Sequence, residues 1–145
     1  MMGPVIPSER SESRDLHPAV ITSVAPMLSV REGARAVEFY KAAFGAVETY
    51  RVESPDGAVV SRLAIAGAEF WVADESPEHA NYSPATLNAC TSRIILNIAE
   101  PAAVVARAIA AGAREVHPVR DEEYGWRQGR IVDPYGHHWE IGHEL

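Results

Sequence analysis

The chain has 145 residues, 47% of them hydrophobic and 23% charged, a size and composition that suit one globular domain. Its net charge is −7, and the thirteen basic residues are Lys41 and twelve scattered arginines, which argues against a nucleic-acid partner because phosphate tracking needs clustered cations. Cys90 is the single cysteine, so an intramolecular disulfide and a cysteine-rich metal site are both ruled out. No apolar run approaches the ~18 residues of a membrane span. Residues 1–19 are polar, with three prolines, and do not read as a targeting signal. A soluble cytoplasmic protein, without membrane or nucleic-acid partners, is the expectation.

Residues 1–19 lack the hydrophobicity to order themselves and are expected to form a flexible tail. Val20 to Val30 is apolar and β-branched, which predicts a buried strand. From Glu32 to Phe44 the pattern turns helical, with Gly33, Ala36, Val37, Tyr40 and Phe44 on one face and Gly45 placed for a left-handed cap. Ala46 to Glu53 alternates as a strand, Ser54-Pro55-Asp56-Gly57 is a turn, and Ala58 to Ile65 returns. After Gly67 comes a short strand, Glu69 to Ala73.

Asp74 to Ala89 is polar and holds two prolines, as a connecting loop would. The same order then repeats. Ser92 to Ala99 is a strand, and a helix follows from Pro101 to Gly112 with Val104, Val105, Ala108 and Ile109 on one face. Strands are predicted at Arg114–Val119, Trp126–Val132 and His137–Ile141, the last two joined by the turn Asp133-Pro134-Tyr135-Gly136. Ser29-Val30-Arg31-Glu32 overlies Asn97-Ile98-Ala99-Glu100, Phe44-Gly45-Ala46 overlies Ala111-Gly112-Ala113, and Gly67 overlies Gly136. Element order and glycine punctuation agree together, so the chain reads as a duplication. The predicted class is α+β, built from two βαβββ modules in a single domain over 20–145. Module one covers 20–74, a linker 75–90, and module two 91–145.

Two segments carry a resemblance: Glu38-Phe39-Tyr40-Lys41-Ala42-Ala43-Phe44-Gly45-Ala46, and Gly129-Arg130-Ile131-Val132-Asp133-Pro134-Tyr135-Gly136-His137-His138-Trp139. Together with the Ser-Pro-Asp-Gly turn they resemble the vicinal oxygen chelate superfamily of glyoxalases, bleomycin-resistance proteins and extradiol dioxygenases, and within it the PhnB-like branch. The resemblance implies modules whose sheets curl into cups, a common homodimeric state, and, in enzymatic members, a divalent metal. It implies four metal ligands, one on the first and one on the last strand of each module. Counted onto this chain, those positions are Ala25, Trp71, Arg93 and Glu140.

Only Glu140 among them can ligate. Alanine has no donor atom, tryptophan offers a bulky N–H, and arginine is a permanent cation. A metal-free cup without cofactor is therefore expected, with Arg93 and Glu140 as an ion pair in place of the metal. The contrary case is an improvised site of His138 and Glu140, two residues apart on one strand face, joined by His117 or His79. If Ala25, Trp71, Arg93 and Glu140 face the cup as the resemblance implies, strand parity assigns Met27, Ser29, Ala73, Ile95, Asn97 and His138 to the same open face. It assigns Leu28, Val30, Phe70, Val72, Ile94, Leu96, Ile98, Trp139 and Ile141 to the core.

The candidate ligand-binding set is Met27, Trp71, Arg93, Ile95, Trp126, His138 and Glu140. Trp71 and Trp126 can stack on a planar compound, Arg93 can meet an anionic group, and Met27 can shape a pocket wall. Arg127 and Arg130 flank Gly129 and can face an anion or pair structurally; Tyr124-Gly125-Trp126 is a candidate lid. Cys90 has no neighbouring histidine or helix start in sequence to activate it, and no nucleophile elbow or phosphate-binding glycine loop occurs. The leading expectation is a binding protein for a small aromatic or anionic molecule that works stoichiometrically, as bleomycin-resistance proteins do. The alternatives are a metal-dependent glyoxalase-like lyase, isomerase or dioxygenase, and a metal-free enzyme using Glu140 or His138 as base.

Overall fold

The computed structural model describes residues 19–145. Module one consists of β1 (Met27–Val30), α1 (Gly33–Phe44), β2 (Val47–Glu53), β3 (Val59–Ile65) and β4 (Ala68–Asp74). Module two consists of β5 (Arg93–Asn97), α3 (Pro101–Ala110), β6 (Arg114–Asp121), β7 (Trp126–Val132) and β8 (His138–Glu144). Between them the linker forms a 3-10 turn (Pro77–His79) and the one-turn helix α2 (Pro84–Leu87). The sheets have the orders β1-β4-β3-β2 and β5-β8-β7-β6, each with one parallel pairing at the first strand and antiparallel pairings elsewhere. This is the α+β duplication read from the sequence.

Register makes the repeat concrete. Met27 lies opposite Trp71 in the first sheet, and Ile95 lies opposite Glu140 in the second. Alternation follows: Leu28, Val30, Leu63, Phe70 and Val72 of the first sheet are buried, as are Leu96, Ile131, Trp139 and Ile141 of the second. All of these enter one core with α1 and α3, which pack side by side. Phe70 and Trp139 bring the two sheets into ring contact at 5.5 Å, and Phe44 of α1 meets Trp139 at 4.7 Å. Each fully buried large side chain contributes about 2–3 kcal/mol. Because the apolar sides of both sheets share this core, their other sides face away from it.

Helix α1 ends where it does because Gly45 adopts φ 67°, and its N–H donates to the Lys41 carbonyl at 3.0 Å. The Asp133-Pro134-Tyr135-Gly136 turn is organised by a buried carboxylate. Asp133 Oδ1 accepts the N–H groups of Tyr135 and His137 at 2.9 and 3.0 Å, and Oδ2 accepts Tyr40 Oη and Trp139 Nε1 at 2.5 and 3.0 Å.

The strand predicted over Val20–Val30 forms only at Met27–Val30. Val20, Ile21 and Val24 have strand propensity but no partner, and are 95%, 85% and 97% exposed. Pro26 ends the ladder, since it accepts from the Trp71 N–H at 2.9 Å but has no N–H to give. Ala25, the carried-over first-strand position, thus precedes β1. The tail expected at 1–19 falls outside the described residues except for Ala19. The expected loop 74–89 contains α2, which Ser83 caps by accepting the Thr86 N–H at 3.2 Å. Ile109, expected on the buried face of α3, is 38% exposed, because the helix buries Pro101, Val105 and Ala108 instead.

Candidate functional site

The open face of the second sheet is a grid set by strand register. One row runs Arg93, His138, Val132, Arg114 across the four strands; the next runs Ile95, Glu140, Arg130, His117; a third holds Asn97, Gly142, Gln128 and Arg120. Glu140 sits at the centre, 8% exposed. Its Oε2 accepts Arg93 Nη1 at 2.6 Å and Arg130 Nη2 at 2.9 Å, and its Oε1 accepts Gln128 Nε2 at 2.5 Å. Burial alone would raise the Glu140 pKa, but the hydrogen bonds and charges of Arg130 and Arg93 outweigh it and leave the carboxyl below its ordinary range. Beside it lies a cleft of about 460 Å³ lined by Arg93, Ile95, Tyr124, Trp126, Gln128 and Glu140.

The open face of the first sheet is aromatic. Trp71 packs edge-on against Tyr50 at 5.7 Å, and the Arg62 guanidinium lies 5.4 Å from the Trp71 ring and 5.7 Å from the Tyr50 ring. Arg62 Nε donates to Thr49 Oγ1 at 2.9 Å, which holds the guanidinium in place.

The structure thus groups Arg93, Ile95, Trp126 and Glu140 around one cleft; Met27 and Trp71 stand on the first sheet, and His138, opposite Arg93 on the same face, borders a different cleft. Met27 lines a different cleft of about 370 Å³ with Tyr82, Leu87 and Cys90. His138 borders a third, of about 250 Å³, under α2. Trp71 stands on the first sheet, so within the protomer its cation is Arg62 rather than Arg93. Of the two arginines beside Gly129, Arg130 binds Glu140, whereas Arg127 turns to the surface and pairs with Asp121 at 2.6 Å. Tyr50, Arg62 and Gln128 were not singled out in the sequence. Extending the alternation through β2, β3 and β7 would have placed them on the open faces.

The metal that the fold implies in enzymatic relatives does not suit these residues. Ala25 offers no donor, Trp71 is engaged with Arg62 and Tyr50, Arg93 is itself bonded to Glu140, and both Glu140 oxygens are taken by three donors. The improvised alternative also fails to assemble: among the described residues no group of three His, Cys, Asp or Glu side chains is placed to hold an ion. Cys90 donates to the Ser92 carbonyl at 3.1 Å. No helix is long and apolar enough to cross a membrane among the described residues.

Paired βαβββ modules with open sheet faces define the glyoxalase/bleomycin-resistance/dioxygenase class of folds. The chain belongs to the glyoxalase-like domain family, whose profile matches residues 26–142. It is 36% identical over 124 residues to an uncharacterised protein of Mycobacterium bovis, covering 83% of this chain and 82% of that one. Among solved structures it resembles TioX from Micromonospora sp. ML1, with a TM-score of 0.65 and 25% identity, covering 86% and 100% of the two chains. It also resembles an Arabidopsis thaliana gene product, with a TM-score of 0.62 and 32% identity, covering 85% and 98%.

Proposed function

We propose that this protein binds a small planar, anionic or aromatic molecule without metal or cofactor, as a PhnB-like member of its superfamily that sequesters rather than converts its ligand. The observation that carries this reading is the state of Glu140. The one carried-over position with ligand chemistry is saturated by Arg93, Arg130 and Gln128 at the edge of a cleft walled by Trp126. A carboxylate held this way is a poor base and a poor metal ligand, yet it orients two guanidinium groups toward a bound acceptor.

The working unit is a homodimer in the cytoplasm. Ile95 is 71% exposed on one open face and Met27 53% exposed on the other, and each face lacks an opposite wall in the protomer. A second copy supplies that wall if the aromatic face with Trp71, Tyr50 and Arg62 covers the face with Arg93, Trp126 and Glu140. The ligand then stacks on tryptophan and places its acceptor against Arg93, with His138 at the margin. Tryptophan fluorescence titration with planar organic acids tests this. Trp126→Ala and Arg93→Ala should each weaken binding by about 2 kcal/mol, roughly thirtyfold. Hits that bind both variants and Trp71→Ala as tightly as the parent place the site elsewhere.

A further inference from the structure

The second sheet carries buried polar nitrogens that its own side chains leave unbonded. His117 Nδ1, His138 Nδ1 and Arg130 Nε are buried and without a partner among the described residues. They stand on neighbouring strands of one face: His117 is opposite Arg130, and His138 is opposite Val132, which is opposite Arg114. Arg114 is exposed and forms no ion pair with another described residue. Glu140, the nearest carboxylate on the face, is already used by three donors, and Glu144 lies two rows away beside Trp126. A cleft of about 250 Å³ opens between the sheet and α2, bordered by His138, Val132, Asn88 and Cys90; Arg130, His117 and Arg114 stand beside it on the sheet and do not line it.

We propose that this corner, formed by His138, Arg130, His117 and Arg114, is a subsite for an oxyanion. The chemistry sought is a compact acceptor with negative charge, such as the phosphate, sulfonate or carboxylate head of a small organic acid. Such a group offers several lone pairs to Arg130 Nε, a donor in every state, and to the Nδ1 atoms of His117 and His138 when they carry the proton, in a partly dry site where an unmade bond is costly. The field at the corner has the matching sign. Burial, then the charges of Arg130 and Arg114, hold His138 below its ordinary pKa; Asp133 acts the other way and His137 adds to the lowering. An anion relieves that repulsion and favours the imidazolium. The subsite deepens the reading of this face as ligand-binding and rests on it; it adjoins the tryptophan-lined cleft through the Arg130–Glu140 bond, but its members do not line that cleft.

The test uses the full chain and inorganic phosphate at constant ionic strength, with chloride as the control, following the imidazole resonances by NMR. Phosphate should shift the His138 and His117 resonances saturably and raise the His138 pKa, while chloride does neither. Arg114→Gln should weaken phosphate at least fivefold without changing the melting temperature measured in chloride. If that variant is unstable, His117→Gln provides the same readout. Unmoved histidine resonances, or unchanged phosphate affinity in both variants, overturn the subsite. Acetate and sulfate titrations separate carboxylate from tetrahedral heads. If planar acids still quench tryptophan fluorescence while phosphate fails, the subsite falls and the binding cleft stands; if both fail, the reading of the face falls with it.

Discussion

Tyr40 and Asp133 lie 93 positions apart, and the phenol of the first donates to Oδ2 of the second at 2.5 Å inside the core shared by both modules. One residue belongs to the Phe-Tyr segment of α1 and the other to the Asp-Pro-Tyr-Gly turn, the two motifs that carry the family resemblance. Their joint occurrence has a physical cause. Asp133 accepts two backbone N–H groups of its own turn, the indole of Trp139 and the phenol of Tyr40, so the second turn and the first helix are docked by one buried carboxylate.

Breaking that relationship should cost stability rather than binding. Tyr40→Phe removes one donor and should lower unfolding free energy by about 1–3 kcal/mol. Asp133→Ala strands three further donors and should cost more. Urea denaturation followed by circular dichroism reads both. An Asp133→Ala protein as stable as the parent would refute the docking role.

Glu140 predicts an acid-side loss. Its folded pKa is lowered relative to the ordinary 4.5, the bonds from Arg130 and Arg93 overcoming the upward push of burial. A depressed carboxylate stabilises the fold above its unfolded pKa, and that contribution disappears as pH falls through the folded value. Stability should therefore hold from neutrality down to about pH 5 and decline below the ordinary carboxylate range. Glu140→Gln should be weaker near neutrality by about 1–2 kcal/mol, with a flatter acid limb. Parallel acid limbs for the two proteins would contradict this.

Metal addition should do little. Ala25, Trp71, Arg93 and Glu140 cannot form a coordination sphere while Glu140 is bonded to two guanidinium groups. Zinc, nickel and manganese should produce no thermal shift, and untagged purified protein should hold far less than one equivalent of divalent metal. One tightly bound equivalent, measured by elemental analysis, would overturn the metal-free reading.

Assembly should depend on concentration. The open faces expose Ile95 at 71% and Met27 at 53%, the apolar surface that the proposed dimer would cover. Sedimentation should give a dimer that dissociates on dilution, and Ile95→Asp should shift it toward monomer. A monomer of 15.8 kDa at every concentration would exclude the composite cup.

Much of this architecture is local information. The period of Gly33, Ala36, Val37 and Tyr40 specifies α1, Gly45 specifies its end, and alternation in Phe70-Trp71-Val72-Ala73 and His138-Trp139-Glu140-Ile141 separates core face from open face. Those patterns are legible because burial repeats with the backbone period. The duplication is legible for the same reason, whereas the pairing of Arg93 with Glu140 comes from the ligand positions that the family resemblance implies, whose offsets agree with the repeat. Local pattern failed where a partner strand decides. Val20, Ile21 and Val24 have the propensity of a strand, but Pro26 stops the ladder; the proline is visible in the sequence, whereas the missing partner strand for the residues before it is not. Nor could the sequence separate the seven candidate residues into different clefts. Strand register within the first sheet places Trp71 with Arg62 and Tyr50, register within the second places Arg93 near Gln128 and Trp126, and the core common to both modules sets the two open faces apart. That arrangement depends on long-range contacts such as Tyr40 with Asp133 and Phe70 with Trp139, whose energy exists only once the modules meet.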